Sequence, residues 1–225
     1  MEPLHGKNQS NNIMKIRQIN FPATQYIGEE TKKKQIYLHH TAGNPSGEGT
    51  FNWWASNPER VATCVCISGP GSTDGEIVQG FSSKFWGYHL GIKPGVFAKQ
   101  GLSWRNLDKT SIGIEICNWG QLSERDGKFY NYVGGEVKDV IKLDKAYKGW
   151  LYFHNYSDAQ IESVKELLIL WRDKYGIPLT YNDDIWEVSK RALKGEPGVF
   201  THNSVRFDKV DIYPHPKMIQ MLKSL

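Results

Sequence analysis

Thr201-His202-Asn203-Ser204-Val205-Arg206-Phe207-Asp208-Lys209-Val210-Asp211 lies near the C-terminus, just after the turn-forming Gly195-Glu196-Pro197-Gly198. In it a histidine is followed by a Lys-x-Asp triplet. Imidazole and carboxylate are both zinc ligands, and a lysine can stabilise a developing negative charge. Alone, the pattern also describes many solvated loops, so a further ligand from a rigid element is needed. Gln35-Ile36-Tyr37-Leu38-His39-His40-Thr41-Ala42-Gly43 offers one. Ile36, Tyr37 and Leu38 favour a strand, and Ala42-Gly43-Asn44-Pro45 ends it. The strand delivers two adjacent histidines. Successive strand residues face opposite sides, so His39 and His40 cannot easily bind one ion together.

Two further segments lie between these: Trp86-Gly87-Tyr88-His89-Leu90-Gly91 and Thr110-Ser111-Ile112-Gly113-Ile114-Glu115-Ile116. In this order, over about residues 35–215, the four segments resemble the zinc-dependent N-acetylmuramoyl-L-alanine amidases. These belong to the type-2 amidase and peptidoglycan-recognition-protein superfamily, which includes phage lysozyme-amidases. The resemblance implies an α/β fold of mixed α+β character, with a central mixed β-sheet flanked by helices. It implies Zn2+ held by His39, the first histidine of the pair, with His202 and Asp211, leaving a fourth position for water. His40 is then expected to pack beneath the site or to hydrogen-bond behind it. Glu115 matches the family's catalytic carboxylate, and its apolar neighbours Ile114 and Ile116 face the other side of the strand. Lys209 is the candidate stabiliser of the oxyanion. His89, in the family's His-x-Gly, is expected to contact substrate, and Trp86 to wall the groove.

The chain departs from the family pattern in three places. Many relatives have a cysteine where Asp211 stands, the loop from His202 to Asp211 is one residue longer than in compact phage relatives, and Thr63 stands where some phage relatives carry a catalytic tyrosine. A threonine cannot do a phenol's work, which leaves Glu115 to carry the proton.

With 225 residues, 39% hydrophobic and 12% aromatic, the chain suits one domain with a real core. The expected division is a flexible extension at 1–13 and one catalytic domain at 14–225 with an insertion at about 119–156. No apolar run approaches the roughly 18–20 residues of a membrane span. The polar start Met1-Glu2-Pro3-Leu4-His5 has no apolar core of a signal peptide, so a cytoplasmic protein is expected. A net charge of +4 is ordinary for a soluble enzyme and also suits an anionic cell wall. No dense basic and aromatic stripe suggests nucleic acid. Three cysteines, Cys64, Cys66 and Cys117, are an odd count that argues against a disulfide framework. They read as buried thiols, with Cys64 and Cys66 on one face of a strand.

Along the chain, strands are expected at 35–39, 61–67, 76–79 and 111–117, the middle two forming a hairpin. Helices are expected at 50–56, 157–175, 183–193 and 215–225. Residues 80–109 read as loop, with Phe81, Phe85, Tyr88, Phe97 and Trp104 as packing residues. The 119–156 segment reads as a rim to the site with a small accessory hairpin, and as a candidate substrate-selecting flap. His5, His154 and His215 match nothing in the family's site. The implied reaction is hydrolysis of the amide between N-acetylmuramic acid and L-alanine in peptidoglycan or muropeptides. A monomer is expected, acting as a phage endolysin held in the host cytoplasm until released to the wall. The alternatives are a cytosolic muropeptide-recycling amidase, a peptidoglycan-binding module without catalysis, and a zinc peptidase acting within the stem peptide.

Overall fold

The central sheet of the computed structural model has six strands in the order β1-β4-β3-β5-β2-β10. They are β1 (Ile16–Gln18), β2 (Gln35–His40), β3 (Val65–Ile67), β4 (Ile77–Gln79), β5 (Ser111–Ile116) and β10 (Gly198–Thr201). Residues 16–225 are described, so the extension expected at 1–13 and His5 lie outside them. Only the β3–β4 pair is antiparallel; β1–β4, β3–β5, β5–β2 and β2–β10 are parallel. All six residues of β2 and all six of β5 are buried. Both strands have parallel partners on each side, and such strands need continuous side-chain burial rather than alternation. That requirement makes a histidine pair and a glutamate in these strands unusual, and it points to the end of the sheet where they sit.

The helices flanking the sheet are α1 (Gly47–Ser56), α2 (Pro94–Lys99), α3 (Asp158–Tyr175), α4 (Lys190–Lys194) and α5 (Pro216–Lys223). Ser46 caps α1 by accepting the Gly49 N–H at 2.9 Å. Ser157 and Gln160 cap the start of α3 reciprocally, and Gly176 ends it in the left-handed conformation at φ 69°. Ile161, Val164, Leu167, Leu168 and Trp171 form the buried stripe of α3. None of the helices among the described residues is long and apolar enough to cross a membrane.

Three expectations change. The strand expected at 61–67 is only Val65–Ile67. Before it the Ala62 N–H bonds to the Tyr88 carbonyl and Thr63 Oγ1 turns back to the Val65 carbonyl, so this backbone follows the 86–90 loop instead of the sheet. Cys64 therefore lies outside the strand that holds Cys66, although all three thiols are buried and free. The helix expected at 183–193 is a 3₁₀ turn at Asp183–Trp186 followed by α4. Asp184 accepts hydrogen bonds from Ser189 Oγ and Arg191, and Ser189 Oγ accepts the Ala192 N–H, so side chains restart the helix at a new cap. The 80–109 stretch contains α2. Phe81 and Phe97 are buried there, but Tyr88 and Trp104 are exposed.

The 119–156 segment holds two hairpins. One pairs β6 (Ser123–Arg125) with β7 (Lys128–Tyr130), the other β8 (Val140–Tyr147) with β9 (Trp150–His154). The alternating stretch 136–141 reaches the strand only at Val140.

Candidate metal centre

Three neighbouring parallel strands end side by side, and their C-terminal ends carry the site. In the β2–β5 register His39 lies opposite Glu115, so both project from one face. In the β10–β2 register Thr201 lies opposite Leu38, and His202 follows at once beside His39. The crevice outside the carboxyl ends of parallel strands is the usual place for a ligand site in α/β folds. Asp211 closes the group from the loop after His202. Its Oδ2 is 2.9 Å from His202 Nδ1 and 3.4 Å from His39 Nδ1. The His39 and His202 rings have centroids 4.5 Å apart.

The donor set fits a divalent zinc ion. One donor atom from each of His39, His202 and Asp211 lies within 4.8 Å of the others. Metal–ligand bonds of about 2 Å place neighbouring donors of a tetrahedral site about 3.3 Å apart, close to the separations seen. The far nitrogens are already engaged. His202 Nε2 lies 2.9 Å from the Leu90 carbonyl, and His39 Nε2 lies 2.9 Å from His89 Nδ1. Both imidazoles therefore turn Nδ1 to the same point. A histidine ligand commonly gives its other N–H to a protein acceptor in this way. Burial, reinforced by His202, pulls the His39 pKa down to about 4, so the ring is neutral and its lone pair is free near pH 7. Burial pushes the Asp211 carboxyl upward, but His202 and His39 outweigh it and hold the group well below the usual carboxylate range. A neutral His39 and an ionised Asp211 are the forms in which those two groups bind a metal.

One loop serves both histidines. His89 takes the far side of His39, its own Nε2 is 2.9 Å from Ser111 Oγ, and the neighbouring Leu90 carbonyl takes His202. Asp108 Oδ1 fixes the loop by accepting the N–H of His89 at 2.8 Å and of Leu90 at 2.9 Å. Both ring nitrogens of His89 are thus engaged within the protein. His89, expected to contact substrate, lines the cavity and also supports His39. Asp108 and the Leu90 carbonyl were not among the sequence candidates, because neither an acidic residue before a strand nor a backbone carbonyl carries a distinguishing pattern.

His40 points to the other side of β2. Its Nδ1 lies 2.7 Å from the Tyr156 hydroxyl and accepts the N–H of Ile212 at 3.0 Å, which pins the backbone next to Asp211. This agrees with the supporting place expected for it. Gly120 approaches so closely that a Cβ there would meet His40 Nε2 at 2.6 Å.

Glu115 is buried, lines the cavity, and makes no hydrogen bond to protein among the described residues. Burial, with Asp211 adding to it, pushes its pKa well above the usual value for glutamate. Lys209 lines the same cavity from the loop of His202 and Asp211. Among the described residues it has no carboxylate within ion-pair distance. Thr63 is buried and spends its hydroxyl on the Val65 carbonyl, so it takes no part in proton chemistry here.

These groups lie in a cavity of about 720 Å³. Its walls include Trp53 from α1 and Trp119, Gln121, Tyr132 and Val133 from the 119–156 segment. Trp53, Tyr132 and Val133 are largely exposed. The groove wall expected at Trp86 is corrected: Trp86 is buried outside the cavity, donates to Glu29 Oε2 at 3.1 Å and packs edge-on against Tyr88. The sequence did carry a signal for Trp53. Neighbouring helix residues are about 100° apart, so of the pair Trp53-Trp54 one side chain goes to the core and the other does not. His154 and His215 are structural: His154 Nδ1 accepts the Trp119 N–H, and His215 caps α5.

The chain resembles known proteins in the same sense. No curated protein sequence matches it. Among solved structures it is similar to PlyL, with 17% identity and a TM-score of 0.53 over 93% of this chain and 98% of that one. It is similar to the PlyG catalytic domain, with 16% identity and a TM-score of 0.51 over 94% of each chain. A mutant endolysin from Bacillus subtilis gives 16% identity and a TM-score of 0.50, over 94% of this chain and 98% of that one. At these identities the likeness is one of fold. The N-acetylmuramoyl-L-alanine amidase family, by contrast, matches the sequence itself from residue 29 to 216, a span that contains β2, β5, β10 and every residue of the site. The chain belongs to the N-acetylmuramoyl-L-alanine amidase family.

Proposed function

We propose that this amidase is a zinc hydrolase that cuts the amide between the lactyl group of N-acetylmuramic acid and L-alanine, with His39, His202 and Asp211 holding the metal. The convergence of those three donors, each imidazole turned by a partner at its far nitrogen, is the observation that carries the reading. Zinc in such a site acts as a Lewis acid, acidifying water and polarising a carbonyl. Glu115 takes a proton from the attacking water and passes it to the departing amine nitrogen. Its burial, with Asp211 nearby, suits this, because a carboxylate of raised pKa binds the proton from water more strongly than an exposed glutamate would. Lys209 faces the charge that builds on the carbonyl oxygen. The C–N bond breaks to leave a lactyl carboxylate and a free L-alanine N-terminus. Trp53, Trp119 and Tyr132 offer apolar faces for sugar rings or the stem peptide, which gives the 119–156 segment a part in substrate selection.

The biological setting we propose is that of a phage endolysin, made in the host cytoplasm and then released to the wall. The fold likeness to the Bacillus subtilis endolysin supports this.

The test combines metal analysis of the purified chain with N-terminal analysis of digested peptidoglycan. One zinc per chain and new alanine N-termini are expected, with both lost in Asp211→Ala. A wild type that carries no stoichiometric zinc and releases no alanine N-termini would end this reading.

A further inference from the structure

The turn between β8 and β9 reaches back to the metal loop through one side chain. Lys148 Nζ donates to Asn203 Oδ1 at 2.9 Å, to the Lys209 carbonyl at 2.6 Å and to the Phe207 carbonyl at 3.3 Å. An ammonium has three protons, and here it has three acceptors. Asn203 is fully buried and carries the connection onward. Its Nδ2 donates to the carbonyls of Asp211 at 2.8 Å and Ile212 at 2.7 Å. Lys148 is therefore one bond from the backbone of Lys209 and two links from that of Asp211.

The loop needs such a tie. Between the 3₁₀ turn at His202–Ser204 and α5 the chain has no regular element to fix its backbone. The hairpin can supply the tie because its own end is anchored: the Tyr147 hydroxyl donates to the Trp186 carbonyl at 2.6 Å. Lys148 sits at the turn with a left-handed φ of 48°. It is half-withdrawn from water, and a lysine on a freely solvated turn would gain nothing from that place.

We propose that Lys148 is a positioning residue for the metal site, setting where Lys209 and Asp211 stand, so that the β8–β9 hairpin is part of the catalytic scaffold. This rests on the reading of Asp211 as a ligand.

The test uses the full chain, with zinc affinity measured by competition with a chromogenic chelator, and kcat and KM measured on a soluble muropeptide. Lys148→Met keeps the stem and removes the ammonium. It should bind zinc about tenfold or more weakly, the range seen when groups behind a ligand are lost. Its kcat should fall while KM changes less than twofold, and Lys148→Arg should recover part of both losses. Tyr147→Phe, which loosens the hairpin anchor but keeps the ammonium and its three acceptors, should lose clearly less zinc affinity than Lys148→Met. A Lys148→Met protein with wild-type zinc affinity and kcat overturns the proposal and leaves the zinc reading standing. A loss as large in Tyr147→Phe also overturns it, because the effect would then be hairpin docking. Should Lys148→Met fail to fold, Lys148→Gln takes its place with the same expected losses and the same overturning result. A wild type that binds no zinc removes both readings.

Discussion

Glu115 and His89 show how much one buried side chain can carry. Among the described residues Glu115 has no hydrogen-bonding protein partner, so its burial is tolerable only if the carboxyl stays protonated or a ligand compensates it. Glu115→Gln keeps the shape and removes the proton exchange. Its kcat is expected to fall by about 10²–10⁴-fold, with zinc content unchanged by metal analysis. The same substitution has a signature in stability. The raised pKa means that the folded chain keeps a proton which the unfolded chain loses above about pH 4.5, so the wild type loses stability as pH rises past that point. In metal-free protein, Glu115→Gln should therefore melt higher than wild type at pH 8, and the gap should close at pH 4. Thermal melts at the two pH values check this. His89 acts through His39. With a metal on the His39 Nδ1 lone pair, its Nε2–H would donate to His89 Nδ1, 2.9 Å away, and the His89 Nε2–H on to Ser111 Oγ at 2.9 Å. His89→Phe leaves the His39 N–H without an acceptor. Zinc affinity is expected to drop about 10–100-fold, read by chelator competition.

Strand β5 is where fold and site constrain one residue together. A Cβ on Gly113 would meet Thr63 Cγ2 at 2.5 Å and His89 Nδ1 at 3.0 Å. The glycine lets β5 lie close against the 62–64 backbone and under the His89 ring. Gly113→Ala is expected to cost about 1–3 kcal/mol, the usual range for overpacking a filled core. Thr63→Ser removes the obstructing methyl and keeps the hydroxyl bonded to the Val65 carbonyl. The double variant should recover much of the loss in denaturant melts. No recovery would mean that the His89 contact, and not the methyl, sets the spacing. The glycine of Ser111-Ile112-Gly113-Ile114-Glu115 was visible in the sequence, but its reason was not, because Thr63 and His89 are far from it along the chain.

For the whole molecule, buried neutral histidines govern behaviour in acid. Burial holds His40 and His215 down to about 4, against an ordinary value of 6.5. Below pH 6.5 the unfolded chain binds protons that the folded chain refuses, so stability present at neutral pH is lost as pH falls toward 4. The metal-free protein should melt at steadily lower temperature across that window. His215 caps α5, so His215→Asn keeps a good cap without the titration. Its melting temperature should fall less between pH 6.5 and 4 than that of the wild type. An equal fall would assign the acid sensitivity to other groups.

The sequence alone determined the strands at the centre of the sheet and the caps and apolar stripe of α3, and it named His39, His202, Asp211 and Glu115 as candidates for one site. Local patterning sets each strand and cap, and in their order along the chain those four residues carry the family's motifs. The tertiary structure alone decided which side chains stand behind the ligands. His89 and Leu90, held by Asp108, meet the two histidines only because three strands end together, and Lys148 reaches the loop of Asp211 only because a hairpin folds back over it. It also moved the aromatic wall from Trp86 to Trp53 and Tyr132. Which face of a loop looks inward is set by what packs against it, and spacing along a chain holds no record of that.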